Sequence, residues 1–264
     1  MEKKYEITDV SKTIKHPISN NDVIVYQIVA LRDFSLINER QIRKGDLGGW
    51  VEKEENLSHD GNCWIYNNCI MFDNARRIEN SIGFGNSMQF GDSIQSGSSR
   101  QFGNSMQYDY SHQFGTSTQF GNSRQYGNSR QSDLSRQYGN SIQTGYSKQY
   151  GYSEQYGNSM QTGYSQQYGY SHQFGCSRQY QQSCQFGNSQ QFGNSRQSDS
   201  SQQYGYSEQC GNSRQSGSSR QCGNSRQSDS SCQYGNSMQT GYSQQYGYSH
   251  QFGNSKQTGD SCEK

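Results

Sequence analysis

From about residue 61 the polar and apolar positions follow a six-residue beat. Ser recurs every six residues from Ser81 to Ser261, and Gln every six from Gln89 to Gln257, without a gap. The unit reads aromatic-Gly-Asn-Ser-x-Gln, as in Phe102-Gly103-Asn104-Ser105-Met106-Gln107. Neighbours in a strand face opposite sides, so Ser and Gln share one side, and x and the aromatic share the other. The x position carries Arg124, Arg130, Lys148, Glu154, Glu208, Arg214 and Arg220, and burying that set unpaired is prohibitive. Ser and Gln are therefore predicted to point inward, with the x and aromatic positions outward. The Gly-Asn pair falls at the corner, where Gly reaches positive φ and Asn tolerates it.

Three units make one coil. Taken every eighteenth residue, Phe84, Phe102, Phe120, Tyr138, Tyr156, Phe174 and Phe192 are all aromatic. A second column reads Asn86, Asn104, Asn122, Asn140 and Asn158. An eighteen-residue super-period is what a triangular coil of three short strands requires. Residues 155–175 recur as 233–253, thirteen units on and so on a different face. Expansion by whole hexapeptides explains that shift.

The fold class is thus all-β, a parallel β-helix. Each inward Gln should meet a Gln about 4.8 Å away on the next coil, and their amides are expected to bond to one another as a ladder. An unpaired buried amide costs roughly 1–3 kcal/mol, so a polar, fully bonded core is required. Earlier units differ: Cys63, Cys69 and Ala75 replace Ser, while Ile65 and Met71 replace Gln. The first coil is expected to be apolar inside and to nucleate the rest. Ahead of it, Lys4-Tyr5-Glu6-Ile7-Thr8 and Val23 to Leu31 read as strands joined by a turn at Asn20-Asn21-Asp22. The predicted organisation is a small N-terminal β cap over 1–52, a β-helix over 53–261 lined by Gln and Ser from about residue 81, and a tail over 262–264.

Gly48-Gly49-Trp50-Val51, Leu57-Ser58 and Gly61-Asn62-Cys63-Trp64-Ile65-Tyr66 resemble the entry motif of uncharacterised bacterial and phage hexapeptide-repeat proteins. The resemblance covers residues 45–75. It implies a left-handed β-helix related in fold to hexapeptide acyltransferases, which place an aliphatic residue where this chain has Gln. Those enzymes use a His on a coil, with substrate bound between subunits under inserted loops.

Hydrophobic residues make up 28% of the chain and the formal net charge is +1. That balance gives no electrostatic footprint for nucleic acid or anionic lipid. No apolar run reaches the roughly 18 residues of a membrane span, and the first residues lack the apolar stretch of a secretory signal. A cytoplasmic or virion-associated protein is expected. The eight Cys follow no disulfide or zinc spacing, and no cofactor motif is present.

Of the histidines, His112, His172 and His250 occupy outward x positions in uninterrupted repeats, and His16 and His59 precede them. Arg178, Arg196 and Arg214 form a like-charged column, expected to be solvated. With no inserted loop to build a pocket, the expectation is a structural or interaction rod without catalysis. It would self-associate through its last coil and offer the aromatic column, Phe84 to Phe192, to a glycan or protein. The alternatives are an acyltransferase-like enzyme, a carbohydrate- or ice-binding face, and a low-complexity phase-separating chain.

Overall fold

A computed structural model describes residues 2–36, 40–66, 68–101, 103 and 105–108, and beyond them the short strands. The chain forms two units, Met1–Ser132 and Asp133–Lys264.

In the first unit, β1 (Tyr5–Lys15) and β2 (Asp22–Ala30) form an antiparallel hairpin pairing Ile7 with Ile28 and Ile14 with Val23. A register shift between Ile7 and Ser11 brings Ile14 onto the core beside Val23 and Val25. The ladder thereby runs through the polar stretch after Thr8, where sequence alone ended the strand. Asn20 takes φ 59° in the turn. A second small pair joins β3 (Phe34–Ser35) to β4 (Gln41–Ile42).

The hairpin meets the coils at β5 (Leu47–Val51), antiparallel to β2 through Tyr26–Val51 and parallel to a coil strand through Trp50–Ile70. This junction explains the Gly-Gly-Trp motif. A Cβ on Gly48 would lie 2.8 Å from the Trp64 ring, and one on Gly49 would lie 2.6 Å from the Cys69 carbonyl oxygen.

After a 3-10 turn at Glu54–Asn56, the coils begin with β6 (Trp64–Ile65), β7 (Ile70–Met71), β8 (Arg76–Arg77), β9 (Ile82–Gly83) and β10 (Met88–Gln89). They continue with β11 (Ile94–Gln95), β12 (Arg100–Gln101) and β13 (Met106–Gln107). Each pairs in parallel with the strand eighteen residues on: Trp64 with Ile82, Ile70 with Met88, Arg76 with Ile94. Three ladders result, β5-β7-β10-β13, β6-β9-β12 and β8-β11. This is the parallel β-helix with three strands per coil. The second unit repeats it, pairing Gln143 with Gln161, Gln179 and Gln197 in turn.

The interior changes character along the first unit. Cys63, Ile65, Cys69, Met71 and Ile82 pack with Tyr5, Ile28, Val51, Leu57 and Trp64 as an apolar start. Beyond it, every Gln of the ladder positions from Gln89 to Gln131, and in the second unit from Gln137 to Gln215, is fully buried. Their bonding corrects the expected amide-to-amide ladder. The Nε2 groups of Gln89, Gln101, Gln107, Gln113 and Gln119 donate to the main-chain carbonyls of Arg76, Met88, Ile94, Arg100 and Met106, at 2.9–3.1 Å. Each acceptor lies thirteen residues back, on another face of the tube in the preceding coil. Gln89 and Gln101 give a second bond to Ser93 O and Ser105 O. Main-chain carbonyls are fixed by the winding itself, so they satisfy the amide N–H groups without a cooperative side-chain alignment. Inward Ser closes the corners, as Ser81 and Ser93 donate to Ile78 O and Phe90 O at 2.9 Å.

Two corners that carry Gly in later coils are Asp73 (φ 56°) and Glu79 (φ 61°). A left-handed non-glycine residue costs roughly 1–2 kcal/mol. The side chains offset it by accepting from Gly91 N and Gly97 N, one coil on.

Outer rings stack in columns: Tyr66 on Phe84 (4.7 Å, 10°), Phe72 on Phe90 (4.9 Å, 4°) and Phe90 on Tyr108 (4.8 Å, 2°). The outward assignment of the aromatic position needs correction at the start of the coils, because Tyr66, Phe72 and Phe90 are buried. The end of β1 covers Phe72 and Phe90: His16 sits edge-on to both rings at 5.3 Å and lies 3.2 Å from Asp73. Among the described residues, no helix is long and apolar enough to cross a membrane.

Candidate functional site

The segment between β5 and β6 leaves the sheet and arches over the corner at Asn74–Arg76. Buried Asn56 pins it: its Nδ2 donates to Asp73 O (3.1 Å) and Ala75 O (2.9 Å), while its Oδ1 accepts from Lys53 N. Leu57 bridges Arg77, and Ser58 N donates to Arg77 O at 2.9 Å. Between the arch and the corner lies a groove of about 740 Å³, walled by Lys53, Glu54, Ser58, His59, Arg76 and Ile78 among others. A recess of about 440 Å³ shares Ser58, Arg76 and Ile78 with it.

His59 and Glu54 form its ionisable pair. Glu54 Oε1 is 2.6 Å from His59 Nε2 and 2.7 Å from Lys3 Nζ. His59 Nδ1 accepts the Lys4 N–H at 3.1 Å, so the neutral ring carries its proton on Nε2 and donates it to Glu54. The ring stacks on Tyr5 at 4.4 Å. Hydrogen bonds from Lys3 and His59 hold the Glu54 carboxyl below its usual range. With Nε2 protonated and the Nδ1 lone pair taken by the Lys4 N–H, His59 is a donor here, and the base of the pair is the Glu54 carboxylate, whose side chain is 44% exposed. Tyr5, under the ring, has its hydroxyl against Glu54 O (2.8 Å) and Leu57 O (2.7 Å).

Two cations lie in the interior behind the groove. Lys4 Nζ reaches Gly61 O and Cys63 Sγ, each at 3.3 Å, and burial lowers its pKa. Arg77 takes the Gln phase on β8 and is 1% exposed. Burial pushes its pKa down to about 10. Its Nη2 donates to Gln89 Oε1 (3.2 Å) and Gln101 Oε1 (3.0 Å). Gly83 makes room, since a Cβ there would overlap the guanidinium.

Of the aromatic column singled out from sequence, Phe84 is half-buried against Tyr66. Phe102, Phe120, Tyr138, Tyr156, Phe174 and Phe192 lie outside the described residues. His112, His172 and His250 stand at x positions of their strands, with side chains outside the described set. Arg178, Arg196 and Arg214 are vertical neighbours. His16 packs beneath the hairpin end rather than lining the groove. The groove itself was missed from sequence, because residues 53–60 fall within the expected β-helix, where no inserted loop is expected to build a pocket. Arg77 in the Gln phase followed by Gly83 one unit later was a visible signal of a large residue beside a missing one.

No family model matches the chain. It is similar to the uncharacterized acetyltransferase YdcK of Escherichia coli, 30% identical over 67 residues, which is 25% of this chain and 19% of that protein. The chain therefore spans about a fifth of that relative's length. This similarity overturns the expectation of a chain without catalysis. That expectation rested on unbroken repeats offering no pocket, whereas the arch before the first repeat supplies one.

Proposed function

We propose that this β-helix acts in acyl transfer, with the groove between residues 53–59 and 74–78 as its ligand site. The acetyltransferase similarity carries the reading. The groove supports it with Arg76, an exposed cation for an anionic donor, and with the Glu54 carboxylate that His59 orients on its wall. In the transfer, the donor thioester C–S bond breaks as a bond forms from the acyl carbon to an acceptor nitrogen or oxygen. The acceptor proton passes to the Glu54 carboxylate, which the Nε2–H of His59 holds in place on the groove wall.

The test uses the full chain, acetyl-coenzyme A, and a panel of amines and alcohols. Thiol release that falls at least tenfold in Glu54→Gln, with binding weakened in Arg76→Ala, is expected. No binding at millimolar donor and no thiol release above background would refute it.

A second reading rests on half-buried Phe84, stacked on the buried Tyr66 ring. Flat rings at one outer edge suit a glycan. Binding on a glycan array that Phe84→Ala removes is the expected outcome, and an empty array rejects it.

A further inference from the structure

Arg77 is a whole charge wound inside the tube. Among the described buried residues the charged side chains are Lys4 and Arg77, and none is Asp or Glu. The nearby thiols of Cys63 and Cys69 are pushed up by burial, so they stay protonated at neutral pH and supply no counter-charge. Arg does not shed its proton, and an uncompensated buried ion carries a penalty of several kcal/mol. Two amide oxygens, from Gln89 and Gln101, answer Nη2. Arg77 Nε and Nη1 have no partner.

The next coil repeats the shortage. Gln95 is the register partner of Arg77 across β8 and β11. It is fully buried, and neither atom of its amide is bonded. Ser99, also fully buried in that coil, has an unbonded hydroxyl. Donors therefore outnumber acceptors around a positive charge in a closed space. Elsewhere in the first unit the Gln Nε2 groups of Gln107, Gln113 and Gln119 find main-chain carbonyls, so the donors left over are those around Arg77.

We infer that the tube binds one small anion of chloride size beside Arg77, held by its guanidinium with the Gln95 amide and the Ser99 hydroxyl. A halide takes N–H and O–H donors and neutralises the charge, whereas water does only the first. The site is enclosed, so the ion enters as the coils wind and leaves as they open. It acts as a folding ligand of the first unit, independently of any chemistry in the groove.

The full chain, unfolded and refolded in chloride-free sodium bromide and then crystallised from it, should show an anomalous peak beside the Arg77 guanidinium. In solution, melting is compared in sodium chloride and sodium gluconate at one ionic strength. A site of about 1 mM affinity raises the folded-to-unfolded ratio about 100-fold at 100 mM chloride, and Arg77→Met should abolish the difference. No bromide peak, or the same melting of the native chain in both salts, overturns the inference and leaves water as the occupant. Both of those readouts use the native sequence, so they decide the matter even if the variant fails to fold.

Discussion

Replacing Gly83 by Ala adds one methyl group inside the tube where the Arg77 guanidinium already lies. The backbone cannot yield, because Gly83 is in register with Ile65 below and Gln101 above. Arg77 must therefore swing away from Gln89 and Gln101, to which it donates at 3.2 and 3.0 Å. Hydrogen bonds from a charged group contribute about 1.5–3 kcal/mol each, and overpacking a closed core costs about 1–3 kcal/mol. Partial relaxation keeps part of both terms, so a loss of about 3 kcal/mol is expected. Urea unfolding measures it as a lower midpoint at unchanged slope. The attribution is checked in an Arg77→Met background, where the same Gly83→Ala change should cost about 1 kcal/mol. The resulting coupling of about 2 kcal/mol is in the range for residues in contact. A Gly83→Ala protein within about 0.5 kcal/mol of the parent, or equal costs in both backgrounds, would refute the reasoning.

Other expectations are as direct. Asp73→Ala leaves a non-glycine residue at φ 56° and removes the acceptor of Gly91 N, so about 2 kcal/mol should be lost in thermal unfolding, and Asp73→Gly should lose less. Tyr5→Phe removes the hydroxyl shared by the carbonyls of Glu54 and Leu57, and chemical denaturation should register about 1–2 kcal/mol. Glu54 has its pKa lowered by Lys3 and then His59. Its contribution is thus present above the unfolded carboxylate value of about 4.3 and disappears as pH falls through the lower folded value. Because the side chain is 44% exposed, the effect is below about 1 kcal/mol. A pH series of melts should show Glu54→Gln flattening that acid limb, and unchanged curvature would disprove the pairing.

Much of the winding was legible because a strict six-residue phase leaves few alternatives. Charged x residues such as Arg100 and Arg124 exclude their side from the interior, and that alone turns Gln101 and Gln125 inward. Cys63 and Cys69, standing in for Ser, marked the apolar start in the same way. The destination of the Gln amides was not legible, since spacing along the chain brings Gln101 near Gln119 but says nothing of the Met88 carbonyl on another face. The hairpin end over Phe72 and Phe90 was equally hidden, because covering an outer column is a tertiary choice made by His16 and Asp73. The groove depends on Asn56 bonding across to Asp73 O and Ala75 O, which no local pattern announces. Arg77 and Gly83 are a different case: both break the repeat in adjacent units, and reading the two breaks together would have placed a large inward side chain beside a missing one.

A tube closed by buried glutamines makes a direct demand on their side-chain protons. In deuterated water, followed by NMR on a sample with 15N-labelled Gln, the Nε2 hydrogens of Gln89, Gln101, Gln107 and their counterparts should persist at least a thousandfold longer than those of a free glutamine. Exchange of those amides at the rate of the free amino acid, while the fold stays intact, would place them in water and contradict the account.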